Sequence, residues 1–474
     1  MKKSGLQKLT GLVLAAMLAG GVLAPAAAIA QDVAPAPAAA EASPATATIA
    51  APAAVAEVAP APAPEEAAKP TLDTGDTSWV LTSTALVLMM TIPGLALFYG
   101  GMVRRKNVIA TVAQSFAITA VISVVWMIAG YSLSFSANGN EGLNKVIGGL
   151  GNMFLSGVTM ESTNSLAATI PESVFVMFQM TFAIITPALI AGAYAERMKF
   201  SAVLVFTVLW SLFVYAPTAH AVWGGGFLGG AGVLDFAGGT VVHINAGVAG
   251  LICALVLGRR KGYGAENMAP HNLVLTMIGA SLLWICWFGF NAGSAVGSNA
   301  LAGIAMLNTQ VAAAAAAIAW MVIEWVERKK PGMLGLASGA VAGLVAITPA
   351  AGFVNPQGAL IIGLLGGAGG YFGAVWLKRL LKYDDSLDAF GVHGIAGIIG
   401  ALLTGVLADP AVNALGEGAN LMTQLYGVAV TIAYASVGTF IILMIVKYTV
   451  GLRVSEEAEV EGLDMSQHGE ALHD

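Results

Sequence analysis

The chain has 474 residues, of which 57% are hydrophobic and 10% charged, and its net charge is −6. Soluble domains carry about 25% charged residues, so this composition, with a mean hydropathy of +0.79, indicates an integral membrane protein. The acidic balance excludes the basic surface of a nucleic-acid-binding protein. Cys253 and Cys286 lie in separate apolar runs, which predicts neither a disulfide framework nor a metal-binding cysteine cluster.

The amino terminus has the three parts of a secretory signal peptide. A basic stretch, MKKSGLQK, precedes a short apolar run, and the small residues AIA precede Gln31. We therefore assign residues 1–30 to a signal peptide. Residues 31–76 are rich in Ala and Pro and predict a periplasmic tether without a packed core. The membrane domain is expected over residues 77–450, and a cytoplasmic tail over 451–474.

Eleven apolar runs follow, each long enough to cross the ~30 Å hydrocarbon core as a helix. They cover residues 78–99, 109–132, 172–195, 201–219, 236–257, 272–292, 303–324, 333–351, 357–377, 389–408 and 423–450. The predicted fold is an all-α membrane protein with eleven transmembrane helices. Two sets of five cross the membrane in opposite senses, so we expect a five-plus-five inverted repeat plus one C-terminal helix.

Positive charges predict the orientation of these spans. Basic residues concentrate in alternate loops: Arg104, Arg105, Lys106, Arg197, Lys199, Arg259, Arg260, Lys261, Arg328, Lys329, Lys330, Lys378, Arg379, Lys382, Lys447 and Arg453. The other loops carry Lys69 and Lys145. The bias places the C-terminus in the cytoplasm, and a signal peptide followed by an odd number of spans gives the same topology.

The fifth and tenth predicted spans each carry a histidine where ionisable groups are costly and mark functional sites. His243 lies in DFAGGTVVHINAGVAGL and His393 in DAFGVHGIAGIIGAL. Inverted halves would bring the two imidazoles together near the middle of the membrane. Asp235 and Asp388 stand eight and five residues before these histidines, and both are predicted to cap their helices.

Each imidazole has three alternative roles: a buried structural side chain, a metal ligand or a pore residue. Related positions in two halves argue against two unconnected structural histidines. Two histidines without a nearby thiolate or carboxylate are an incomplete metal set, so we expect neither a metal nor a cofactor. Desolvation favours the neutral ring, which can donate and accept hydrogen bonds. The pair therefore favours a narrow path for a small polar solute, or a proton relay.

Several stretches together resemble the ammonium transporter family (Amt/Mep/Rh), and its bacterial Amt branch in particular. They are IPGLALFYGGMVRRKN, DFAGGTVVHINAGVAGL, WFGFNAGSA, DAFGVHGIAGIIG and the tail VGLRVSEEAEVEGLDMSQHGE. The resemblance covers about residues 75–474. The long Ala/Pro-rich tether departs from the short mature amino terminus that is usual in the family.

The resemblance implies a role for each candidate site residue. The implied outer ammonium site comprises Trp223, Phe182 and Ser294. Phe182 and Phe290 form the implied gate below it, and His243 and His393 form the pore pair. Asp235 and Phe178 are implied to support these residues. Aromatic faces attract a cation, and a serine hydroxyl can accept an N–H bond. Ammonium is expected to bind outside, lose its proton near the gate and cross as ammonia past the histidines.

The resemblance also implies a location and partners. It predicts a multi-pass protein of the inner (plasma) membrane that transports ammonium or ammonia, with methylammonium as an analogue, and that is not an enzyme. It further predicts a homotrimer with one pore per subunit, and a PII-type signalling protein at the cytoplasmic face. No nucleic acid is expected as a partner.

Three other functions are compatible with a polytopic membrane protein. An ammonium sensor often adds a catalytic cytoplasmic domain, whereas only residues 451–474 follow the last predicted span, although docking of a PII-type partner could still signal. An intramembrane enzyme would need a nucleophile–base pair or a complete metal set. An unrelated cation channel or ion-coupled transporter would carry more intramembrane carboxylates.

Overall fold

The computed structural model describes residues 71–472, so the predicted signal peptide and most of the predicted tether lie outside the described residues. Over this range the chain is helical, with only isolated β-bridges. Ten helices are long and apolar enough to cross a membrane, and one shorter apolar helix lies among them. Helices α1–α11 are Thr74–Met102, Arg105–Phe135, Glu172–Tyr194, Phe200–Gly230, Gly239–Leu257, Leu273–Gly293, Ala300–Arg328, Met333–Ile347, Pro356–Leu381, Phe390–Leu407 and Leu421–Thr449.

These helices confirm the predicted all-α membrane fold, with ten of the eleven predicted spans matched by helices of spanning length and the eighth by the shorter helix. The shorter helix, α8, has 15 residues and a length of about 22 Å at 1.5 Å per residue, which is less than the hydrocarbon core. Residues 348–354 after it remain buried and continue the same buried path. The predicted span 333–351 therefore contains a helix and a buried turn.

Polar side chains set the starts of several spans. Asp73 accepts a hydrogen bond from the amide of Asp76, so α1 begins at Thr74, earlier than the predicted residue 78. The same capping occurs at α6, α7, α9 and α11, where the cap residues are Asn272, Asn299, Asn355 and Asn420. A capping oxygen pairs with an amide that has no partner within the helix.

Helices α5 and α10 approach each other closely at the centre of the bundle. A Cβ atom on Gly247 would lie 2.3 Å from the backbone nitrogen of Gly394, so a side chain cannot be accommodated there. A Cβ on Gly397 would likewise lie 3.3 Å from the Cβ of His243. Small residues thus bring the two histidine-bearing helices together, as is common where helices pack in lipid.

The loops rich in basic residues meet at one face of the bundle, which we call the basic face. Glu196, in the α3–α4 loop, pairs with Arg104 at 2.9 Å and with Arg260 at 3.0 Å. Arg260 also pairs with Asp384 of the α9–α10 loop at 2.8 Å. Burial alone raises the pKa of Glu196, but the guanidinium groups of Arg260 and Arg104 lower it below its usual range. Four loops are therefore joined by one buried ion-pair cluster.

The tail after α11 packs against this basic face. Arg453 donates hydrogen bonds to the carbonyls of Leu257 and Arg259 and forms an ion pair with Glu459. Further along, a carboxylate oxygen of Asp464 accepts a hydrogen bond from the amide of Ala110, near the start of α2. The tail therefore contacts the start of α2, the end of α5 and the loop that follows α5.

Candidate functional site

The two intramembrane histidines lie against each other. The imidazole rings of His243 and His393 are stacked, with centroids 5.4 Å apart and planes inclined by 13°. Both side chains are buried. Within residues 71–472, neither ring nitrogen of His243 has a hydrogen-bond partner, and Nδ1 of His393 also has none. These nitrogens are therefore available to a small polar solute that passes between the helices.

Wide helical turns carry both histidines. His243 lies in the π-helical segment Gly239–Ile244 at the start of α5, and His393 lies in Phe390–Ile395 at the start of α10. Such turns are rare and occur frequently at functional sites. The two halves of the chain thus place a histidine in the same local structure.

A continuous series of aromatic rings leads from the histidines toward the face opposite the basic face. The ring of His243 stacks on Phe290 with centroids 5.9 Å apart, and Phe290 contacts Phe182 at 4.4 Å. Phe182 meets Trp223 edge to face at 6.1 Å, and Phe178 at 5.0 Å. The predicted gate and outer-site aromatics therefore form one connected group above the histidine pair.

A cavity of about 520 Å³ opens above these rings. Phe182, Trp223, Ser294 and Asp235 all line it, together with Gln179. The Ser294 hydroxyl donates to the carbonyl of Phe290 at 2.8 Å, which leaves its oxygen lone pairs as acceptors. The structure thus brings the predicted outer-site residues to one cavity wall.

Two residues at this site were not predicted from the sequence. The side-chain oxygen of Gln179 is buried and has no hydrogen-bond partner among the described residues, although the residue lines the cavity. Trp287 stacks on His243 with centroids 5.3 Å apart, and its indole nitrogen donates to the hydroxyl of Thr348 at 2.9 Å. A tryptophan in the motif WFGFNAGSA was the available signal for the second residue.

Asp235 stabilises the start of α5, and both of its carboxylate oxygens are bonded to backbone amides although the residue lines the cavity. Its two carboxylate oxygens accept hydrogen bonds from four backbone amides, those of Gly238, Gly239, Thr240 and Val241. Burial raises the pKa of this carboxyl, and the four amide donors act against that rise. Asp235 therefore caps the helix that carries His243.

The prediction that Asp388 caps α10 is wrong, because Asp385 does so. The carboxylate of Asp385 accepts hydrogen bonds from the amides of Ala389 at 3.1 Å and Phe390 at 2.8 Å. Asp388 instead forms an ion pair with Lys378. Asp385 stands eight residues before His393, the same spacing as between Asp235 and His243. The corrected pair makes the two half-sites more alike than the sequence comparison suggested.

Comparison with known proteins places the whole helical domain in one family. The chain matches the Ammonium Transporter Family over residues 78–472. It is 50% identical over 414 residues to an ammonium transporter of Aquifex aeolicus. The matched region covers 86% of this chain and 95% of that protein.

Solved structures agree with this assignment. Mep2 of Saccharomyces cerevisiae matches this chain with a TM-score of 0.75 and 35% identity. The match covers 81% of this chain and 91% of the Mep2 chain. A sensor Amt protein has a TM-score of 0.76 and 28% identity, covering 83% and 98% respectively. The resemblance noted in the sequence motifs is therefore confirmed, and the chain belongs to the ammonium transporter family.

Proposed function

We propose that this protein carries ammonium across the inner membrane as ammonia, through a hydrophobic pore that passes the histidine pair. The observation that carries the proposal is the unbroken series of side chains from Trp223 through Phe182 and Phe290 to His243 and His393. The series leads from an open cavity to two buried imidazoles. Both ring nitrogens of His243 and Nδ1 of His393 have no hydrogen-bond partner among the described residues.

Recruitment of ammonium is assigned to the outer cavity. Aromatic rings attract a cation through the negative potential of their faces, and Phe182 and Trp223 present two such rings at nearly a right angle. Ser294 adds an acceptor oxygen at the cavity wall, and Gln179 adds a buried oxygen that has no partner among the described residues. Potassium has a similar size and charge but no N–H donors, so these acceptors favour ammonium.

The gate is assigned to Phe182 and Phe290. Their rings are 4.4 Å apart and both are buried, so they close the path at rest. A hydrated ion would have to shed its water against apolar rings, which is costly. Ammonium that gives its proton to water of the outer cavity passes as ammonia, which needs only a small displacement of the rings.

Passage below the gate is assigned to the histidine pair. An imidazole nitrogen can accept from, or donate to, an ammonia molecule, depending on which ring nitrogen carries the proton. Two parallel rings offer such groups in sequence along a short path. Asp235 and Asp385 keep the start of each helix in place without contacting the solute.

The proposal extends to topology and partners. The positive-inside rule supports a cytoplasmic location of the basic face, with the mature amino terminus in the periplasm. We further propose a homotrimer, and a PII-type signalling protein that docks on the basic face beside the tail.

Methylammonium uptake tests this function directly. Cells that lack their own ammonium transporters are expected to grow on low ammonium and to accumulate methylammonium only when they produce this protein. Purified protein in proteoliposomes, given an ammonium gradient, separates neutral from charged transport by the presence of a current. Absence of both flux and current, with the protein folded in the membrane, contradicts the proposal.

An ammonium sensor that acts through a docked PII-type partner is the second candidate. It is favoured by the similarity to a sensor Amt protein and by the docking of the tail on the basic face. Binding of ammonium without flux, accompanied by altered binding of the PII-type protein, would support sensing over transport.

A further inference from the structure

His220 is a buried histidine that none of the steps above uses. It lies on the helical stretch Ala216–Val222 of α4, three residues before Trp223, and its exposed fraction is 0%. Nδ1 lies 2.9 Å from the carbonyl oxygen of Ser134, at the end of α2. Nε2 lies 2.7 Å from the carbonyl oxygen of Asn144, in the α2–α3 loop.

Both partners of this imidazole are backbone carbonyls, which can only accept a hydrogen bond. A neutral imidazole has one N–H, so it can satisfy one carbonyl and must turn a lone pair toward the other. The doubly protonated ring donates to both. The geometry of His220 is therefore that of an imidazolium that bridges two segments of backbone.

The turn after Trp223 packs on the same two segments. A Cβ on Gly224 would lie 2.1 Å from the carbonyl oxygen of Ser134 and 2.6 Å from Nδ1 of His220. Beyond it, the amide of Phe227 donates to the carbonyl of Lys145 at 2.8 Å. The main chain on both sides of Trp223 is thus held against the end of α2 and the α2–α3 loop.

The indole of Trp223 is fixed from the opposite side. Its nitrogen donates to the backbone carbonyl of Asp235 at 2.8 Å, and its ring meets Phe182 edge to face. The orientation of the indole therefore depends on two anchors. One is the Asp235 carbonyl, and the other is the turn that His220 pins.

We propose that protonated His220 is a positioning residue for the outer ammonium site, because its two donated hydrogen bonds hold the Trp223 turn against the α2–α3 loop. The inference rests on the proposed function, since it assigns the outer site to Trp223. His220 itself does not line the outer cavity. A ring with one N–H can donate only one of the two bonds, so the doubly protonated ring holds the turn most firmly.

Other charged groups near this contact are few. Within the described residues, the helical turn Glu141–Asn144 and the residue after it carry two charged side chains, Glu141 and Lys145, and both residues are exposed to solvent. Asp235 lies beyond Trp223, with its carboxylate bonded to four amides. No hydrogen bond or ion pair in the described part of the chain joins any of these three side chains to His220.

Methylammonium uptake kinetics in proteoliposomes test the inference with two independent variants. His220→Gln removes the second ring donor, and Gly224→Ala pushes a methyl group into the same contact. Both are expected to raise the apparent KM by about tenfold, as expected for loss of a hydrogen bond to a charged group, while Vmax stays within about twofold.

Matched controls exclude general damage. His271→Gln changes a histidine of the α5–α6 loop that contacts the carbonyl of Val103, and Gly230→Ala places a methyl group where no atom lies within 4 Å. Both should keep the wild-type KM. Trp223→Ala serves as the reference for the outer site itself.

The outcomes separate the two proposals. An unchanged KM in Trp223→Ala overturns the outer-site assignment. A raised KM in Trp223→Ala with an unchanged KM in His220→Gln and Gly224→Ala overturns the role of His220. If neither of those two variants reaches the membrane, the wild-type protein still decides, because Ala219–His220 is the only Ala–His pair in the sequence. Selective ¹³C-alanine and ¹⁵N-histidine labelling then identifies this ring by NMR, and a single protonated nitrogen at the pH of the uptake assays refutes the inference.

Discussion

The imidazole rings of His243 and His393 lie nearly parallel, 5.4 Å apart between centroids, although 150 residues separate them in the chain. The contact joins the start of α5 to the start of α10, where His243 is the fifth residue of Gly239–Ile244 and His393 the fourth of Phe390–Ile395. Because Trp287 also stacks on His243, this ring packs against both an indole and an imidazole. Its plane is therefore fixed by packing, while neither ring nitrogen has a hydrogen-bond partner in the described part of the chain.

Removal of either imidazole should impair transport. His243→Ala deletes a stacked ring and the polar atoms on which the proposed path depends, and His393→Asp replaces a neutral group with a carboxylate that attracts cations. We expect the first change to lower ammonium flux by at least tenfold, and the second to admit potassium. Currents from proteoliposomes under ammonium and potassium gradients measure both effects.

His271→Ala is the control for the histidine variants, since that residue lies in the α5–α6 loop at the basic face and contacts the carbonyl of Val103. Wild-type ammonium currents and wild-type selectivity in both pore variants would falsify the role assigned to the pair.

Opening the gate should relax selectivity before it lowers flux. Phe290→Ala removes a ring that lies 4.4 Å from Phe182 and 5.9 Å from His243. The space left by the ring admits water, so the dehydration barrier for ions falls. We expect a potassium-driven current that wild-type protein lacks, measured in the same proteoliposomes. Phe213→Ala changes a 60% exposed phenylalanine on α4 and should show no potassium-driven current. A Phe290→Ala protein that still excludes potassium would contradict the gate assignment.

Much of this architecture could be predicted from the sequence because it depends on the order of residues within short segments. Apolar runs gave all eleven spans, and the recurring aspartate–histidine–glycine pattern indicated that His243 and His393 occupy related places. Where the prediction failed, the deciding information was three-dimensional. Asp388 is nearer to His393 in the chain, but its backbone is left-handed, with φ 61°, and its side chain points to Lys378; Asp385 reaches the free amides instead.

Other features depend on contacts between distant segments. The stacking of Trp287 on His243 requires the relative rotation of α5 and α6, which periodicity does not specify. The ion pairs of Glu196 with Arg104 and Arg260 join three loops, whereas the sequence showed those arginines only as markers of orientation. The unpartnered oxygen of Gln179 became notable only once its surroundings were known.

The corrected cap on α10 gives a direct comparison of two neighbouring aspartates. Asp385→Ala leaves the amides of Ala389 and Phe390 without their acceptor, which should cost about 1 kcal/mol of stability, and it frees the turn that carries His393. We expect a lower melting temperature and reduced methylammonium uptake. Asp388→Asn loses an ion pair whose side chains are 22% and 26% exposed, which is worth well under about 1 kcal/mol, and Asn tolerates its left-handed backbone. Equal effects of the two variants would contradict the assignment of the cap.

Neutralising Glu196 should destabilise the protein more than any exposed charge does. Its side chain is fully buried between Arg104 and Arg260, and breaking a buried ion pair leaves an uncompensated charge that costs about 3–5 kcal/mol. Glu196→Gln should therefore lower the melting temperature in detergent markedly. Glu266→Gln, which affects a 59% exposed partner of Arg104 at 3.5 Å, should change stability by less than about 0.5 kcal/mol.

The same cluster predicts sensitivity to acid. Burial raises the pKa values of Glu196 and Asp384, but ion pairs and hydrogen bonds with Arg260 outweigh it, so both pKa values fall below their usual range. A carboxylate with a lowered pKa stabilises the folded state above its unfolded-state pKa, about 4 for these residues, and loses that contribution as the pH falls through the folded-state value. The melting temperature should thus be steady from pH 7 to about pH 5 and fall below about pH 4. Glu196→Gln should show a shallower decline in acid, and a decline as steep as that of the wild-type protein would mean that other carboxyls govern it.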